Sequence, residues 1–252
     1  NRGDLLPWLL VIGAELILVF LGLMSMWTML AGYNKQPPFA FHEAQRRLYN
    51  PRLNEELGIA DDPTAWPMFI NRRQVDVDVF ITVFGEDLHV IRQTVSAALA
   101  MHGRHETYVL DDGDSDEVRD LAAELGAGYI RRLGSSGAKA GNVNHALSIT
   151  HGEYFLILDA DFVAKPEMLE ETLPGMADDT IAFVQTPQVY GNLHTTIARG
   201  AAYMQSMFYR YIQPGRNEFN AAFCVGTNVL FRRKAVKEIG GMYTGSKSED
   251  VW

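Results

Sequence analysis

Residues 154–161 read Tyr-Phe-Leu-Ile-Leu-Asp-Ala-Asp, and this stretch decides both the fold class and the place of the functional site. Five apolar or aromatic residues in a row are typical of a strand that is buried on both faces of a parallel sheet. The run ends in two aspartates separated by one residue, Asp159 and Asp161, whose side chains are expected to point the same way. Two neighbouring carboxylates with a shared direction are suited to binding one cation.

Short apolar runs alternate with amphipathic stretches on both sides of this strand. Strands are predicted over residues 77–83, 107–110, 154–158, 181–184 and 229–231, and helices over residues 88–101, 116–125, 140–149, 165–176 and 195–211. The alternation predicts an α/β fold with a mostly parallel sheet and helices on both of its faces. In such sheets ligands bind beyond the carboxyl ends of the strands, so residues at those ends are the candidates for function.

Acidic residues follow three of the predicted strands. Glu86 and Asp87 follow the first, Asp111 and Asp112 end the second, and the Asp-x-Asp pair ends the third. A single acidic residue at a strand end is commonly a turn former or a helix N-cap. Three acidic groups at one edge repel one another unless a counter-ion lies among them. Hard oxygen ligands without nearby Cys or His favour Mg²⁺ or Mn²⁺, which substrate phosphates usually complete.

A glycine-flanked lysine lies between the second and third acidic groups. The segment from Gly137 to Asn142 reads Gly-Ala-Lys-Ala-Gly-Asn and opens a predicted helix. Lys139 there suits a diphosphate, because backbone N–H groups and the helix dipole add to the ammonium charge. A glycine-rich loop with a solvent-exposed lysine is the alternative that this segment alone leaves open. It does not match the Walker A pattern, which disfavours a phosphoryl-transfer enzyme of that type.

The segment from Leu5 to Leu30 is apolar on every helical face, and Glu15 is its only charged residue. About 20 such residues suffice to cross a bilayer, so the segment is predicted to be a transmembrane helix. Lys35 and several arginines follow it, whereas only Arg2 precedes it. The positive-inside rule therefore predicts that the C-terminal side is cytoplasmic.

Composition limits the partners and the compartment. A net charge of −9 without a dominant basic segment argues against nucleic acid as a partner. Arg232 and Arg233, after the last predicted strand, are expected to be surface charges. The single cysteine, Cys224, excludes an internal disulfide and suits a reducing compartment. We divide the chain into a transmembrane helix (1–32), a proline-rich, membrane-proximal connector with short helical pieces (33–75) and the α/β domain (76–252).

The motifs, taken in their order along the chain, resemble those of the processive branch of glycosyltransferase family 2, which includes the cellulose synthases. The similarity extends from about residue 75 to the last residue. The DDG, KAGN, DxD, QTP and TED motifs of that family correspond here to Asp111-Asp112-Gly113, Lys139-Ala140-Gly141-Asn142, Asp159-Ala160-Asp161, Gln185-Thr186-Pro187 and Ser248-Glu249-Asp250. Each motif is short, but the combination is highly specific.

This resemblance implies a GT-A fold, the fold of many nucleotide-sugar transferases, and an inverting transfer from a UDP-sugar to an acceptor sugar hydroxyl. The residues that it assigns to substrate binding are Phe84, Glu86, Asp111, Asp112, Lys139, Gln185 and Glu249. Within this set, Asp111 or Asp112 would hold the nucleoside with Phe84 and Glu86, and Lys139 would hold the diphosphate. Asp159 and Asp161 would bind the metal, Mg²⁺ or Mn²⁺, and Asp250 is the implied general base.

Two departures from the family pattern leave the sugar polymer open. Val225 stands where the family's FFCGS motif has its cysteine, and Phe162 stands where cellulose synthases usually have a histidine after DxD. The family's QxxRW motif and its further membrane helices are expected downstream of Asp250. We therefore expect this chain to be a piece of a longer protein, with little processive activity of its own.

The preferred interpretation is a bacterial inner-membrane β-glycan synthase that uses UDP-glucose and has its catalytic domain in the cytoplasm. Its expected partners are the UDP-sugar, a glycan acceptor, the lipid bilayer and accessory subunits of a synthase complex. Transfer of a single sugar to a lipid phosphate is the second interpretation, and a catalytically inactive membrane scaffold is the third. A nucleotidyltransferase also fits the sheet and the metal pair, but the Ser-Glu-Asp motif disfavours it.

Overall fold

The computed structural model describes residues 5–33, 35, 37–132 and 134–245. Within them the helices are α1 (Leu5–Ala31), α2 (Phe39–Arg46), α3 (Pro51–Glu56), α4 (Leu88–Leu99), α5 (Asp116–Leu125), α6 (Ala138–Ile149), α7 (Met168–Thr172), α8 (Thr196–Met207), α9 (Gln213–Asn217) and α10 (Arg233–Glu238). The strands are β1 (Met68–Ile70), β2 (Arg73–Val75), β3 (Val77–Val83), β4 (Glu106–Asp111), β5 (Gly128–Arg131), β6 (Tyr154–Asp159), β7 (Phe183–Gln185) and β8 (Val229–Arg232).

The chain divides into two compact units. One comprises Asn1–Gln36 with Pro187–Phe223, and the other comprises Pro37–Thr186 with Cys224–Trp252. These bounds differ from the predicted ones at two places. Most of the predicted connector belongs to the unit that carries the sheet, and residues 187–223 belong to the unit that carries α1.

Helix α1 is long and apolar enough to cross a membrane, and none of its described side chains is buried. In the same unit, α9 packs against its C-terminal end. A side chain at Gly215 would overlap the carbonyl of Thr28, so the two helices approach closely because this residue is glycine. The helix predicted over residues 195–211 ends as an α-helix at Met207, and a π-helical turn, Phe208–Ile212, connects it to α9.

Six strands form one sheet in the order β5-β4-β3-β6-β8-β7. Strands β5, β4, β3 and β6 run parallel, whereas β8 runs antiparallel to both β6 and β7. The predicted mostly parallel sheet is therefore confirmed. The register pairs Thr82 with Asp159 and Val83 with Asp111, which brings the carboxyl ends of β3, β4 and β6 side by side.

Helices cover both faces of the sheet, as the sequence predicts. On β3, Val79 and Ile81 are buried against the cluster that includes α4 and α5, whereas Phe80 is buried against the cluster that includes α6 and α10. Strand β6 alternates in the same way, with Leu156 on the first face and Phe155 on the second. Because both faces are covered, the middle of β3 and of β6 is apolar on both sides rather than alternating with polar residues.

Residues 37–75 contain more regular structure than predicted. Besides the short helices α2 and α3, strands β1 and β2 form an antiparallel hairpin. The Asn50 side chain caps α3 by accepting a hydrogen bond from the Leu53 N–H (3.3 Å). The Phe69 N–H of the hairpin donates to the carbonyl of Leu48, whose side chain is fully buried. The segment is thus packed into the core of the sheet unit.

The prediction that Arg232 and Arg233 are surface charges is wrong. Arg233 is buried and pairs with the buried carboxylate of Asp78 at the start of β3 (2.5 Å). Its guanidinium also donates to the carbonyls of Leu147, Thr150 (both 3.0 Å) and Gly152. Arg232 donates to the carbonyls that follow α7 and to the Tyr154 hydroxyl. Both arginines therefore tie the amino-end edge of the sheet to its loops.

Candidate active site

The carboxyl ends of β3, β4 and β6 and the N-terminus of α6 enclose a cleft of about 470 Å³. We call it the carboxylate cleft. Its lining residues are Thr82, Val83, Phe84, Glu86, Asp112, Ser135, Ala138, Lys139, Asn142, Asp159, Ala160 and Asp161. Six predicted site residues are among them: Phe84, Glu86, Asp112, Lys139, Asp159 and Asp161. A larger cavity of about 750 Å³, beside α2 and the turn after α7, is lined by none of the predicted site residues.

Asp159 is held in place by a residue of β3 and by a residue of the loop that precedes β8. Its N–H donates to Thr227 Oγ1 (2.8 Å), and its Oδ1 accepts from Thr82 Oγ1 (3.3 Å). The Phe162 N–H donates to its carbonyl (3.1 Å) and closes the turn that carries Asp161. The backbone that presents the two carboxylates is therefore well supported, while their side chains remain on the cleft wall.

The donor set of this cleft fits Mg²⁺ or Mn²⁺. Asp159 and Asp161 offer hard carboxylate oxygens, and neither Cys nor His lines the cleft. Within the part of the chain that the structure describes, there is no group of three or more His, Cys, Asp or Glu side chains suited to a metal. The two aspartates are thus a partial ligand set, the kind that water and substrate phosphates complete in magnesium sites.

Lys139 lies in the first turn of α6, and its Nζ forms an ion pair with Asp159 Oδ1. The residues before it, Gly137 (φ 75°) and Ala138 (φ 45°), both adopt the left-handed backbone conformation. For a residue other than glycine this conformation costs on the order of 1–3 kcal/mol and persists where neighbouring groups hold it. The loop therefore directs the helix N-terminus and the lysine into the cleft at some cost in stability.

The two aspartates of the DDG motif have different environments. Asp111 is buried, and its carboxylate accepts hydrogen bonds from the N–H groups of Gly113 (2.7 Å) and Ser115 (2.8 Å) and from the Tyr129 hydroxyl (2.7 Å). Burial, together with that bond to Asp111, raises the pKa of Tyr129, so the phenol stays protonated and donates. Asp112 instead lines the cleft. Of the two residues predicted for the nucleoside, Asp112 is the one within reach of a ligand.

Arg132 is a site residue that the sequence analysis missed. Its guanidinium binds both carboxylate oxygens of Asp112 (2.6 and 2.7 Å) and donates to the carbonyls of Ser136 and Ala138. It therefore connects the DDG turn to the loop before Lys139. A side chain at Gly141 would overlap the Ser136 carbonyl and this guanidinium, which explains the glycine of the KAGN motif. The only signal in the sequence is a second arginine after a short strand.

Two further polar groups belong to the cleft wall. Glu86 accepts a hydrogen bond from the Phe84 N–H (2.7 Å), and the Phe84 ring is 70% exposed. An exposed ring beside a carboxylate is suited to stacking on a base. Asn142 is buried and donates to the Leu110 carbonyl (3.0 Å), while its Oδ1 has no hydrogen-bond partner within the described residues.

The remaining predicted site residues do not line the cleft or are not described. Gln185 lies at the end of β7, where its side-chain amide contacts backbone groups of residues 225–228. Glu249 and Asp250, predicted for substrate binding and for general base catalysis, lie outside the described residues.

The fold and the cleft together define the class of GT-A nucleotide-sugar transferases. The same fold is found in the mannosyltransferase PcManGT from Pyrobaculum calidifontis, solved in complex with GDP-Man and Mn²⁺. The likeness has a TM-score of 0.55 at 19% sequence identity and covers 94% of this chain and 61% of that one. At this identity the comparison supports the fold, and the fold agrees with the predicted one.

The chain belongs to glycosyl transferase family 2, whose family model matches residues 78–240. It is 36% identical over 210 residues to cellulose synthase 2 of Novacetimonas hansenii. It is 35% identical over 212 residues to the UDP-forming cellulose synthase catalytic subunit of Pseudomonas fluorescens. Each match covers 80% of this chain, but the chain spans only 13% and 27% of those two relatives.

Proposed function

We propose that this chain is the donor-binding part of an inverting, metal-dependent glycosyltransferase of the cellulose synthase type. The proposed donor is a UDP-sugar, with UDP-glucose preferred, and the proposed acceptor is the end of a growing β-glycan. The observation that carries the proposal is the meeting of Asp112, Lys139, Asp159 and Asp161 in one cleft of a family 2 domain. The UDP-forming relative named above supports UDP as the nucleotide.

The proposed roles follow from the charges in the cleft. The Phe84 ring, Glu86 and Asp112 bind the nucleoside, and Arg132 holds Asp112 in position. Lys139 and the N-terminus of α6 bind the diphosphate, since ammonium charge and backbone N–H groups both favour an anion there. When bound to Asp159 and Asp161, Mg²⁺ or Mn²⁺ supplies further positive charge to the diphosphate leaving group.

The proposed transfer is a single displacement. Asp250 takes the proton of the acceptor hydroxyl, the hydroxyl oxygen forms a bond to the anomeric carbon, and the bond from that carbon to the diphosphate oxygen breaks. UDP leaves with the electron pair, and the configuration at the anomeric carbon inverts because attack and departure occur on opposite faces. The base role of Asp250 is supported by the family resemblance, and one carboxylate is sufficient for this chemistry.

The proposed location is the cytoplasmic face of a bacterial inner membrane. Helix α1 is a candidate span, and among the basic residues that flank it only Arg2 precedes it, whereas Lys35 and three arginines follow it by residue 52. The lipid bilayer is then a partner of α1, and accessory subunits of a synthase complex are partners of the longer protein.

A donor comparison tests this function. The detergent-solubilised chain is incubated with Mn²⁺ and radiolabelled UDP-glucose, UDP-N-acetylglucosamine or GDP-mannose, with β-glucan oligosaccharides or membrane lipid as acceptor. The proposal expects UDP-glucose to bind most tightly and label to pass to the oligosaccharide. Labelled lipid would support single-sugar transfer to a lipid phosphate instead. No binding of any donor would support the scaffold interpretation.

The base assignment has its own test. Asp250→Asn is expected to abolish transfer while UDP affinity, measured by calorimetry, stays within about twofold, because the base contacts the acceptor and not the nucleotide. A variant that loses UDP binding would contradict the assignment of Asp250 to the acceptor side.

A further inference from the structure

The side chain of Gln185, the last residue of β7, is hydrogen-bonded almost entirely to one short loop, residues 224–228. Its Nε2 group donates to the carbonyls of Thr227 (2.9 Å), Asn228 (3.1 Å) and Thr186 (3.1 Å). Its Oε1 accepts from the Val225 N–H (2.9 Å). Both ends of the amide are therefore used inside the protein. The carboxylate cleft is lined by neither Gln185 nor any residue of this loop.

The loop that Gln185 contacts has an unusual backbone. Gly226 (φ 80°) and Asn228 (φ 53°) both adopt the left-handed conformation, on either side of Thr227. The Asn228 carbonyl also accepts hydrogen bonds from the N–H and the hydroxyl of Thr186 (both 3.0 Å). Such conformations persist where surrounding contacts determine them. Gln185 and Thr186 supply those contacts, at the point where the chain leaves the sheet unit and later re-enters it.

Thr227 transmits this arrangement to the metal pair. The antiparallel register that pairs Ile157 with Val229 places Thr227 opposite Asp159, two residues further along. Thr227 is buried, and its Oγ1 accepts the Asp159 N–H (2.8 Å). A side-chain hydroxyl thus takes the place that a strand carbonyl would have. The path from Gln185 to the backbone of Asp159 consists of two hydrogen-bonded steps.

We infer that Gln185 is a positioning residue that acts through Thr227 to fix the backbone of Asp159 for metal binding. The inference rests on the proposed function, because that function makes Asp159 a metal ligand. It replaces the substrate-binding role that the family resemblance implies for Gln185. The amide holds the loop, the loop presents the Thr227 hydroxyl, and the hydroxyl sets the position of the first carboxylate of the DxD motif.

Four variants separate this role from the alternatives. Gln185→Met keeps the length of the side chain and removes its hydrogen bonds, and Thr227→Val keeps the shape and removes the hydroxyl. Thr227→Ser retains the hydroxyl and is the conservative rescue. Gln45→Met is the matched control, because the Gln45 amide donates hydrogen bonds to Glu170 and Glu171, which do not line the cleft.

Two readouts are measured on each detergent-solubilised chain. The first is hydrogen exchange at the Asp159 amide, which reports the linkage whether or not a metal binds. The second is the Mn²⁺ affinity in saturating UDP, from electron paramagnetic resonance titration. We expect Gln185→Met and Thr227→Val to speed the exchange and to weaken Mn²⁺ binding about five- to tenfold, the effect of one hydrogen bond. Thr227→Ser and Gln45→Met should resemble the unmodified chain in both readouts.

The combined variant decides whether the two residues act along one path. The double variant Gln185→Met/Thr227→Val should show nearly the same Asp159 exchange rate and Mn²⁺ affinity as Thr227→Val alone. Thr227→Val already breaks the path, so adding Gln185→Met has little further effect. Fully additive losses of Mn²⁺ affinity would overturn the inference, and so would an unchanged exchange rate of the Asp159 amide in Gln185→Met.

The alternative roles give different results. If Gln185→Met weakens UDP-glucose binding but leaves Mn²⁺ affinity unchanged, Gln185 binds substrate as the family resemblance implies. If the unmodified chain binds neither UDP nor Mn²⁺, the proposed function is wrong. The exchange rate of the Asp159 amide then still tests whether Gln185 acts on Asp159 through Thr227. Should Gln185→Met not fold, the Thr227 pair still tests the second step.

Discussion

Strand β3 begins beside one ion pair and ends beside another. At its start, Asp78 is buried against Arg233, and the side chains are only 4% and 6% exposed. At its end, Thr82 contacts Asp159, whose ion pair with Lys139 lies on the wall of the carboxylate cleft. The first pair is surrounded by protein groups that complete its hydrogen bonds, and the second faces a space large enough for a ligand.

The two ion pairs differ in whether protein groups or a ligand complete their hydrogen bonds. Arg233 has backbone carbonyls and a threonine hydroxyl for its remaining donors, while burial still lowers the pKa of its guanidinium. Asp159 and Asp161 have their carboxylates on a cleft wall, where the proposed cation and diphosphate would add compensation. Asp112 also lines the cleft, but both of its oxygens already bind Arg132. A buried charge pair is costly to break, because the partner left behind stays buried and unpaired, whereas charges on a concave surface are available to a ligand.

The largest expected effect is at the buried end. Arg233→Met leaves the Asp78 carboxylate buried with the Gly152 N–H as its remaining hydrogen bond (2.9 Å). Breaking a buried ion pair in this way costs about 3–5 kcal/mol of unfolding free energy. Urea denaturation followed by tryptophan fluorescence measures it. Lys234→Met is the matched control, because Lys234 is 79% exposed and its contact with Glu238 is long (3.8 Å). Equal losses from the two variants would contradict the assigned role of Arg233.

A second large effect is expected at the cleft. Asp159→Asn removes a proposed carboxylate ligand, so Mn²⁺ affinity in the presence of UDP should fall by about a hundredfold or more. The unfolding free energy should change by less than about 1 kcal/mol, since the side chain faces the cleft. Asp179→Asn, at a carboxylate that is 90% exposed, is the control and should change neither quantity. If Asp159→Asn strongly lowers the unfolding free energy and leaves Mn²⁺ binding intact, the ion pair at the end of β3 is structural and the proposed contrast with Asp78–Arg233 is wrong.

An intermediate effect is expected at Arg132. Arg132→Lys keeps the charge but cannot bind both oxygens of Asp112 and two loop carbonyls at once. UDP affinity should fall about tenfold, measured by calorimetry with Mn²⁺ present. Arg131→Lys is the neighbouring control, because Arg131 pairs with Asp114 and Asp116 and donates to the Tyr129 hydroxyl, and none of these three residues lines the cleft. If the control weakens UDP binding as much as Arg132→Lys does, a general charge effect explains both.

The smallest effect concerns a helix cap beside the DDG turn. The Ser115 hydroxyl accepts the Val118 N–H (3.3 Å) and caps α5. Ser115→Ala should cost about 1 kcal/mol of stability without changing UDP affinity, since the Ser115 N–H that binds Asp111 remains. Thermal unfolding and calorimetry check the two parts. Asn50→Ala, which uncaps α3, should produce a similar loss, and reduced UDP affinity in Ser115→Ala would assign the serine to the site.

Much of the sheet could be predicted because its strands have strong local patterns. The predicted bounds of β3 and α5 agree with the structure. Strand β5 was missed because it is short and carries a glycine and an arginine, and its register comes from pairing with β4. The predicted helix over residues 165–176 begins as α7 only at Met168, and Pro174 lies in a 3-10 turn instead.

The sequence predicts the type and place of the site, but not the role of every residue in it. Neighbouring residues at a strand end point in opposite directions, so the sequence alone left open whether Asp111 or Asp112 faces the ligand. Arg132 and Arg233 look like ordinary charged residues, since their partners come from distant segments that only the fold brings near. For the same reason, the Gln185 motif was read by its resemblance as a substrate group, whereas its hydrogen bonds lie within the protein.

The most direct test of the carboxylate cleft is a calorimetric titration of the unmodified chain with UDP, with and without Mn²⁺. The proposed ligand set predicts that Mn²⁺ strengthens UDP binding at least about tenfold, because a metal held by Asp159 and Asp161 would add positive charge for the diphosphate. It also predicts that Asp159→Asn removes this gain. UDP binding of equal strength without metal, or no UDP binding at all, would contradict the assignment of Asp159, Asp161 and Lys139 to a nucleotide-sugar site.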